Sequence, residues 1–244
     1  MNVSLAPALQ GRVIDRHAAD ARTRDAMFRL LTSHFAGVDR ASFEHDLRGK
    51  SAVILLEDQE RALRGFSTLL AYPTAAAGRL VTIVYSGDTI VERAYWGSPV
   101  LARTWIQAVG QLVAGDDSQE VYWLLLTSGF RTYRFLPVFY ESFYPRFDEP
   151  TPEPTQALLD AIAAERFGEC YDAAAGLVRF ARPQVLADDL LEVPDGRVSD
   201  PHVRFFLERN PGFVTGDELV CLTRIHHDNL TAAGRRMARN ATGR

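Results

Sequence analysis

The sequence predicts an α/β protein with a mixed, mostly antiparallel sheet and helices on both faces. Apolar residues recur at helical spacing within residues 20–48, and short segments rich in Val, Ile and Leu follow between turn residues. The apolar segment Val121–Thr127 then lies between two further helical segments, which is typical of a buried central strand. The order of helix, helix, three strands, helix, strand and helix indicates a sheet of about six or seven strands.

The first half of the chain supplies the clearest elements. Gly37 separates two predicted helices within residues 20–48. Because turn residues separate the next three apolar segments, we expect an antiparallel meander there. The predicted strands are Ser51–Glu57, Arg64–Tyr72 and Arg79–Val91, and a helix is predicted at Val100–Val113.

The second half of the chain has weaker alternation of apolar and polar residues. We expect residues 1–148 to form the core of the protein. Residues 149–244 are expected to form an extension that packs on this core and completes the sheet within one domain. The predicted elements are helices at Tyr133–Phe143, Gln156–Phe167, Pro201–Arg209 and Asn229–Arg239, the last capped by Asn229, and strands at Leu177–Phe180 and Glu218–Ile225.

Composition excludes some classes of function. The 244 residues carry a net charge of -4, whereas nucleic-acid binders usually show a basic surface. Neither a membrane-spanning run of about 20 apolar residues nor a signal peptide is evident, so we expect a cytoplasmic protein without a membrane span. Lys50 is the only lysine, and the two cysteines lack the spacing of a metal site or a disulfide framework.

Two local patterns carry a family resemblance. Val91–Leu101 reads VERAYWGSPVL, a strand end followed by a loop and a helix start. Phe139–Phe143, FYESF, lies downstream of the central strand. In this order and separation, the two patterns resemble the GCN5-related N-acetyltransferase (GNAT) superfamily. The resemblance covers roughly residues 20–148 and implies transfer of an acyl group from a thioester.

The loop departs from the family pattern at three positions. Trp96 stands where the family has an arginine, Pro99 where it has a glycine, and Leu101 where it has glycine or alanine. A helix N-terminus binds phosphate through its free N–H groups, and Pro99 removes one of them. The departures suit a donor on an acyl-carrier protein, where one phosphate rather than a pyrophosphate must be held.

The resemblance assigns roles to particular residues. It implies that the main chain near Val91 binds the pantetheine arm of acyl-CoA or of a phosphopantetheine-bound donor. Tyr140 would protonate the departing thiolate. The residues expected to contact the donor are Val91, Trp96, Gly97, Ser98, Val100, Ser128 and Arg131, with the amides of Gly97, Ser98 and Val100 binding phosphate.

Two carboxylates, those of Asp88 and Glu92, are candidates for the base that deprotonates the acceptor, and we favour Asp88. Each candidate also has a structural alternative. Ser86-Gly87-Asp88 is a turn-like triplet, and Glu92 could be a solvated loop charge. Tyr140 could belong to a buried aromatic stripe with Phe135, Phe139 and Phe143.

Basic residues and histidines complete the set of candidates. Arg131 and Arg134 could bind phosphate or the acidic surface of a carrier protein, or merely solvate a helix start. In His226-His227-Asp228 the two rings are expected to point to different sides, so no metal site is predicted.

The predicted activity is N-acyl transfer from an acyl thioester to a small-molecule amine, without a metal. One alternative is a carrier-protein-dependent acyltransferase of lipid or secondary-metabolite synthesis. The other is a module that binds an acyl thioester or a protein without turnover.

Overall fold

The computed structural model describes residues 8–113 and 120–239. The strands in these ranges are β1 (Gln10–Asp15), β2 (Phe35–Ala36), β3 (Ala52–Glu57), β4 (Leu63–Ala76), β5 (Arg79–Val91), β6 (Val121–Thr127), β7 (Tyr171–Asp172), β8 (Leu177–Val178), β9 (Val185–Leu186) and β10 (Glu218–Arg224). The helices are α1 (Ala21–His34), α2 (Arg40–Arg48), α3 (Val100–Val113), α4 (Phe130–Tyr133), α5 (Phe135–Phe139), α6 (Glu153–Phe167), α7 (Asp188–Leu191), α8 (Asp195–Val198), α9 (Pro201–Arg209) and α10 (Ala232–Ala238).

Eight of these strands form one mixed sheet in the order β1-β3-β4-β5-β6-β10-β8-β7. Its neighbours pair antiparallel except β5 and β6, which are parallel. The predicted mixed, mostly antiparallel sheet is therefore confirmed, with more strands than expected. The remaining two strands, β2 and β9, pair with each other.

Helices cover both faces of the sheet, as predicted. Alternate residues of β6 enter two different cores, since Trp123 packs towards α3 whereas Leu124 packs towards α6. The helices α1 and α2 cover the β3–β4 part of the face that α6 also occupies. On this face a cavity lies over β5 beside α2.

The C-terminal part of the chain adds strands to the edge formed by β6. Strand β10 pairs with β6 from Leu219 opposite Thr127 to Arg224 opposite Tyr122, and β8 and β7 follow. No helix within the described ranges is long and apolar enough to cross a membrane.

Several predicted elements differ from those observed. In place of the predicted helix Tyr133–Phe143 there are two short helices, α4 and α5. The second ends at Phe139, because Tyr140 takes an extended conformation and pairs with Leu230. Asn229 does not cap the last helix; its side chain binds the loop at Ser142, and Thr231 caps α10 instead. Strand β1 was missed, because it is mostly exposed and lacks a continuous apolar pattern.

Candidate active site at the divergence of two parallel strands

A gap opens where β5 and β6 diverge. Their parallel pairing runs from Thr82 opposite Val121 to Ser86 opposite Leu125, and β5 continues to Val91. The Glu92 N–H donates to the Arg64 carbonyl on β4, at 2.8 Å. Since main-chain groups alternate in direction along a strand, those of Thr89 and Val91 point away from β4 and into the gap.

A β-bulge precedes this exposed strand edge. The β4–β5 register shifts so that Gly87 and Asp88 lie between the paired residues where β4 supplies only Thr68. A Cβ at position 87 would lie 2.5 Å from Thr68 Oγ1 and 2.7 Å from Lys50 Nζ. A side chain at position 87 would displace Lys50 or Thr68, so glycine lets the lysine approach the strand.

A cavity of about 360 Å³ lies at the gap. Strand β5 contributes Ser86–Thr89 and Val91, and the start of β10 contributes Glu218. The segment from Phe180 to Leu190 forms a further wall. The structure thus brings together the predicted residues Asp88, Val91, Trp96, Ser128 and Arg131, all of which line this cavity.

Asp88 and Glu218 place two carboxylates in the cavity, and their negative charges are only weakly compensated. No basic side chain in the described part of the chain lies within ion-pair distance of either. Burial, reinforced by the charge of Asp46, raises the pKa of Asp88 to about 7 despite nearby Lys50. Burial and the charge of Asp88 raise the pKa of Glu218 to about 7, while a hydrogen bond with Ser128 opposes the rise. Both groups can exchange protons near neutral pH.

Lys50 is the buried cation of the site. Its residue is only 3% exposed, its Nζ lies 2.7 Å from Asp46 Oδ1, and it lies 4.8 Å from the centre of the Tyr85 ring. The interaction with Asp46 and the aromatic face compensates for part of the cost of burying this charge. Lys50 therefore supplies a fixed positive charge beside the bulge.

A second space, a groove of about 610 Å³, adjoins the cavity. It is lined by the loop before α3, including Gly97 and Ser98, and by the first residues after β6. Five residues line both spaces, namely Thr89, Val91, Trp96, Arg131 and Thr132. The groove and the cavity therefore meet at the exposed edge of β5.

The loop offers fewer free amides than the resemblance implies. The Ser98 N–H donates to the Tyr95 carbonyl at 2.9 Å, and the Val100 N–H points to Ser98 Oγ at 3.4 Å. Gly97 faces open space, since a Cβ at this position would have no neighbouring atom within 4 Å. Of the three amides expected to bind phosphate, only that of Gly97 lacks a partner inside the loop.

The two arginines after β6 make contacts within the fold, and both line the groove. Arg131 donates to the carbonyls of Leu190 and Glu192, at 2.7 and 3.2 Å, and its guanidinium lies 4.7 Å from the centre of the Trp96 ring. Burial lowers the pKa of Arg131, and the charge of Arg93 adds to this effect. Arg134 forms an ion pair with Asp200 at 2.9 Å.

Tyr140 and Glu92, two further candidates, lie outside the cavity. Tyr140 is 2% exposed and packs against Trp123, and its hydroxyl has no hydrogen-bond partner among the described residues. Burial raises the pKa of this phenol well above its usual range. Glu92 forms an ion pair with Arg64 at 3.3 Å. The aromatic-stripe interpretation of Tyr140 fits this position.

Sequence reasoning missed Glu218 and the site role of Lys50. Glu218 begins an ordinary apolar strand, and only the pairing of β10 with β6 places it near Asp88. For Lys50 a signal existed, because it is the single lysine in a chain whose other cations are arginines.

His226, His227 and Asp228 are closer together than predicted. Their candidate ligand atoms lie within 4.8 Å of one another, and the two imidazole rings are 4.2 Å apart. The expectation that the rings point to different sides was wrong, because a short helical turn at His227–Asn229 brings them together.

No protein-family model matches the sequence, and no curated protein matches it. Several solved structures similar to this chain are acetyltransferases, and some of these are named as members of the GNAT family. One, from Escherichia coli in complex with CoA, is 17% identical, with a TM-score of 0.37 over 51% of this chain and 66% of that one. An acetyltransferase from Trypanosoma brucei is 15% identical, with a TM-score of 0.39 over 60% of this chain and 98% of that one.

A probable N-acyltransferase from Enterococcus faecalis V583 is 12% identical, with a TM-score of 0.40 over 56% of this chain. The match spans only 33% of the Enterococcus protein. At these identities and TM-scores, only the geometry of the site bears on the function.

Proposed function

We propose that this protein is an N-acyltransferase that moves an acyl group from an acyl thioester to a small-molecule amine. The observation that carries the proposal is the junction of two spaces at the unpaired edge of β5. The groove has room for an extended thioester donor, and the cavity, with Asp88 and Glu218, has room for an amine. A direct reaction between two substrates needs both of them to be held side by side, and the two adjoining spaces allow this.

The unpaired edge of β5 supports the binding of the donor. The main-chain groups of Thr89 and Val91 can pair with the amides of a pantetheine arm, much as an added strand pairs with the edge of a sheet. A main-chain N–H at this edge can also stabilise the oxyanion that develops on the thioester carbonyl. The acyl carbon then lies at the mouth of the cavity.

The two carboxylates support the binding and activation of the acceptor. An aliphatic amine has a pKa of about 10 and arrives as an ammonium ion. Asp88 and Glu218 can hold this ion, and ionised Asp88 can remove the proton that blocks attack. The amine nitrogen bonds to the acyl carbon and then loses a second proton to solvent, which leaves the neutral amide nitrogen. The C–S bond breaks, and the thiolate leaves into the open groove, where solvent protonates it. Tyr140 takes no part in this scheme.

A carrier-protein donor is the alternative that one observation favours. The Ser98 and Val100 amides are engaged within the loop, and Pro99 has none, so the loop is poorly suited to a pyrophosphate. A donor with a single phosphate needs fewer amides. The chemistry at Asp88 is the same for both donors.

The test is thiol release from acetyl-CoA, a long-chain acyl-CoA and an acyl-carrier protein, with and without a panel of aliphatic amines. We expect thiol release that depends on the amine and falls about 100-fold or more in Asp88→Asn, the usual size of a general-base effect. Asp195→Asn, which removes an exposed carboxylate at the start of α8, is the matched control and should keep full activity.

The outcomes separate the alternatives. Release from the carrier protein alone would identify it as the donor. If calorimetry shows that a donor binds but no amine in the panel causes thiol release, the protein is a binding module. Equal activity in wild type and Asp88→Asn would contradict the role of the carboxylate.

A further inference from the structure

Trp96 occupies the edge of β5 where the groove meets the cavity. Its indole Nε1–H donates to the Val91 carbonyl at 2.8 Å, although 38% of the residue remains exposed. The Arg131 guanidinium lies over the ring, 4.7 Å from its centre. An exposed tryptophan thus satisfies a main-chain acceptor that faces the gap.

Arg131 holds this arrangement in place from the opposite wall. Its two hydrogen bonds to the carbonyls of Leu190 and Glu192 fix the guanidinium against the segment that closes the cavity. The same segment is attached to the end of α1, because the Ala187 N–H donates to the His34 carbonyl at 2.8 Å. The indole is therefore positioned by contacts on both sides of the junction.

The Val91 carbonyl is also the acceptor that a donor would use. Val91 lines both the cavity and the groove, and an amide N–H of an extended ligand would bind its carbonyl by strand-like pairing. His34 Nε2 lies 3.2 Å from the same carbonyl oxygen. Two ring nitrogens thus lie against one carbonyl oxygen, so an incoming amide N–H has to displace one of them to reach it.

We propose that Trp96 sets the affinity for donors that carry an amide N–H near the thioester: its indole N–H occupies the Val91 carbonyl, and a donor amide binds there only by displacing it. This inference rests on the proposed acyl transfer. A pantetheine donor replaces the indole hydrogen bond with its own. A simple thioester without an amide has no N–H to exchange, and the carbonyl stays bound to Trp96.

The test compares wild type with Trp96→Phe, which keeps an aromatic ring beneath Arg131 but lacks the N–H. In the wild type an amide donor exchanges one hydrogen bond for another, whereas in the variant it gains one. We expect acetylpantetheine to bind the variant about 2–10-fold more tightly by calorimetry, the effect of one net hydrogen bond. S-ethyl thioacetate, which has no amide, should show the same KM with both proteins.

The remaining outcomes are decisive. Equal or weaker binding of acetylpantetheine to Trp96→Phe would overturn the inference, since Trp96 would then be a plain contact surface for the donor. A similar gain for S-ethyl thioacetate would also overturn it, because relief of crowding would be the cause. If acetylpantetheine and the carrier protein bind neither protein, the proposed function itself fails. Thermal unfolding of both proteins checks that the variant is folded.

Discussion

Replacement of Asp88 by asparagine should stabilise the protein at alkaline pH while it slows transfer. The pKa of Asp88 is raised from 3.8 to about 7, and each pKa unit corresponds to about 1.4 kcal/mol. Between pH 4 and 7 the folded protein keeps a proton that the unfolded chain has lost. Folding therefore becomes less favourable as the pH rises through this window, and the loss is complete above pH 7.

The asparagine variant does not lose stability in this way as the pH rises, because its side chain does not ionise. Its free energy of unfolding should exceed that of the wild type by about 2–4 kcal/mol at pH 8, with a smaller difference at pH 5. For a chain of this length the difference corresponds to a rise in Tm of roughly 5–15 °C. Urea and thermal unfolding at pH 5 and pH 8 measure both quantities.

The control is Asp195→Asn, whose exposed carboxylate should give the same small difference from wild type at both pH values. If Asp88→Asn were no more stable than wild type at pH 8, burial of the ionised carboxylate would not destabilise the folded protein. The inference of a base with a pKa near neutrality would then fail, whatever the effect on activity.

Three further substitutions test other parts of the site. Glu218→Gln should raise the KM for the amine about tenfold, the effect of one charged hydrogen bond, and an unchanged KM in steady-state assays would exclude Glu218 from acceptor binding. Gly87→Ala should lower the free energy of unfolding by about 1–3 kcal/mol in urea, because its methyl group would collide with Lys50 and Thr68; Gly97→Ala, with open space around it, should be nearly neutral, and equal effects would contradict the close packing at the bulge. Tyr140→Phe should leave kcat unchanged and stability equal or up to about 1 kcal/mol higher, because the buried hydroxyl has no partner among the described residues; a large fall in kcat would restore the acid role of Tyr140.

Much of the fold could be predicted from local patterns. The strands Arg79–Val91 and Val121–Thr127 and the helices Val100–Val113 and Pro201–Arg209 have the predicted bounds. Each is a continuous segment whose apolar periodicity or boundary residues are read within a few positions. The helix predicted through Phe143 failed because a long-range contact between Tyr140 and Leu230 overrides the local aromatic spacing.

The candidate site was less accessible to prediction. Asp88 could be proposed because it lies on the strand before the loop, within one sequence segment. The roles of Arg131 and Trp96 depend on carbonyl groups of Leu190, Glu192 and Val91, which sequence does not mark. Tyr140 matched a motif, yet the packing around Trp123 buries it away from the cavity.

The sequence by itself determined the mixed sheet, the order of its central elements and the position of Asp88, because periodicity and turn residues act over short distances along the chain. Only the tertiary structure decided that Glu218, 130 positions after Asp88, shares its cavity. The antiparallel pairing of β10 with β6 brings the two carboxylates together, and their burial raises both pKa values towards neutrality. Charge and desolvation depend on distance in space, which no local pattern records.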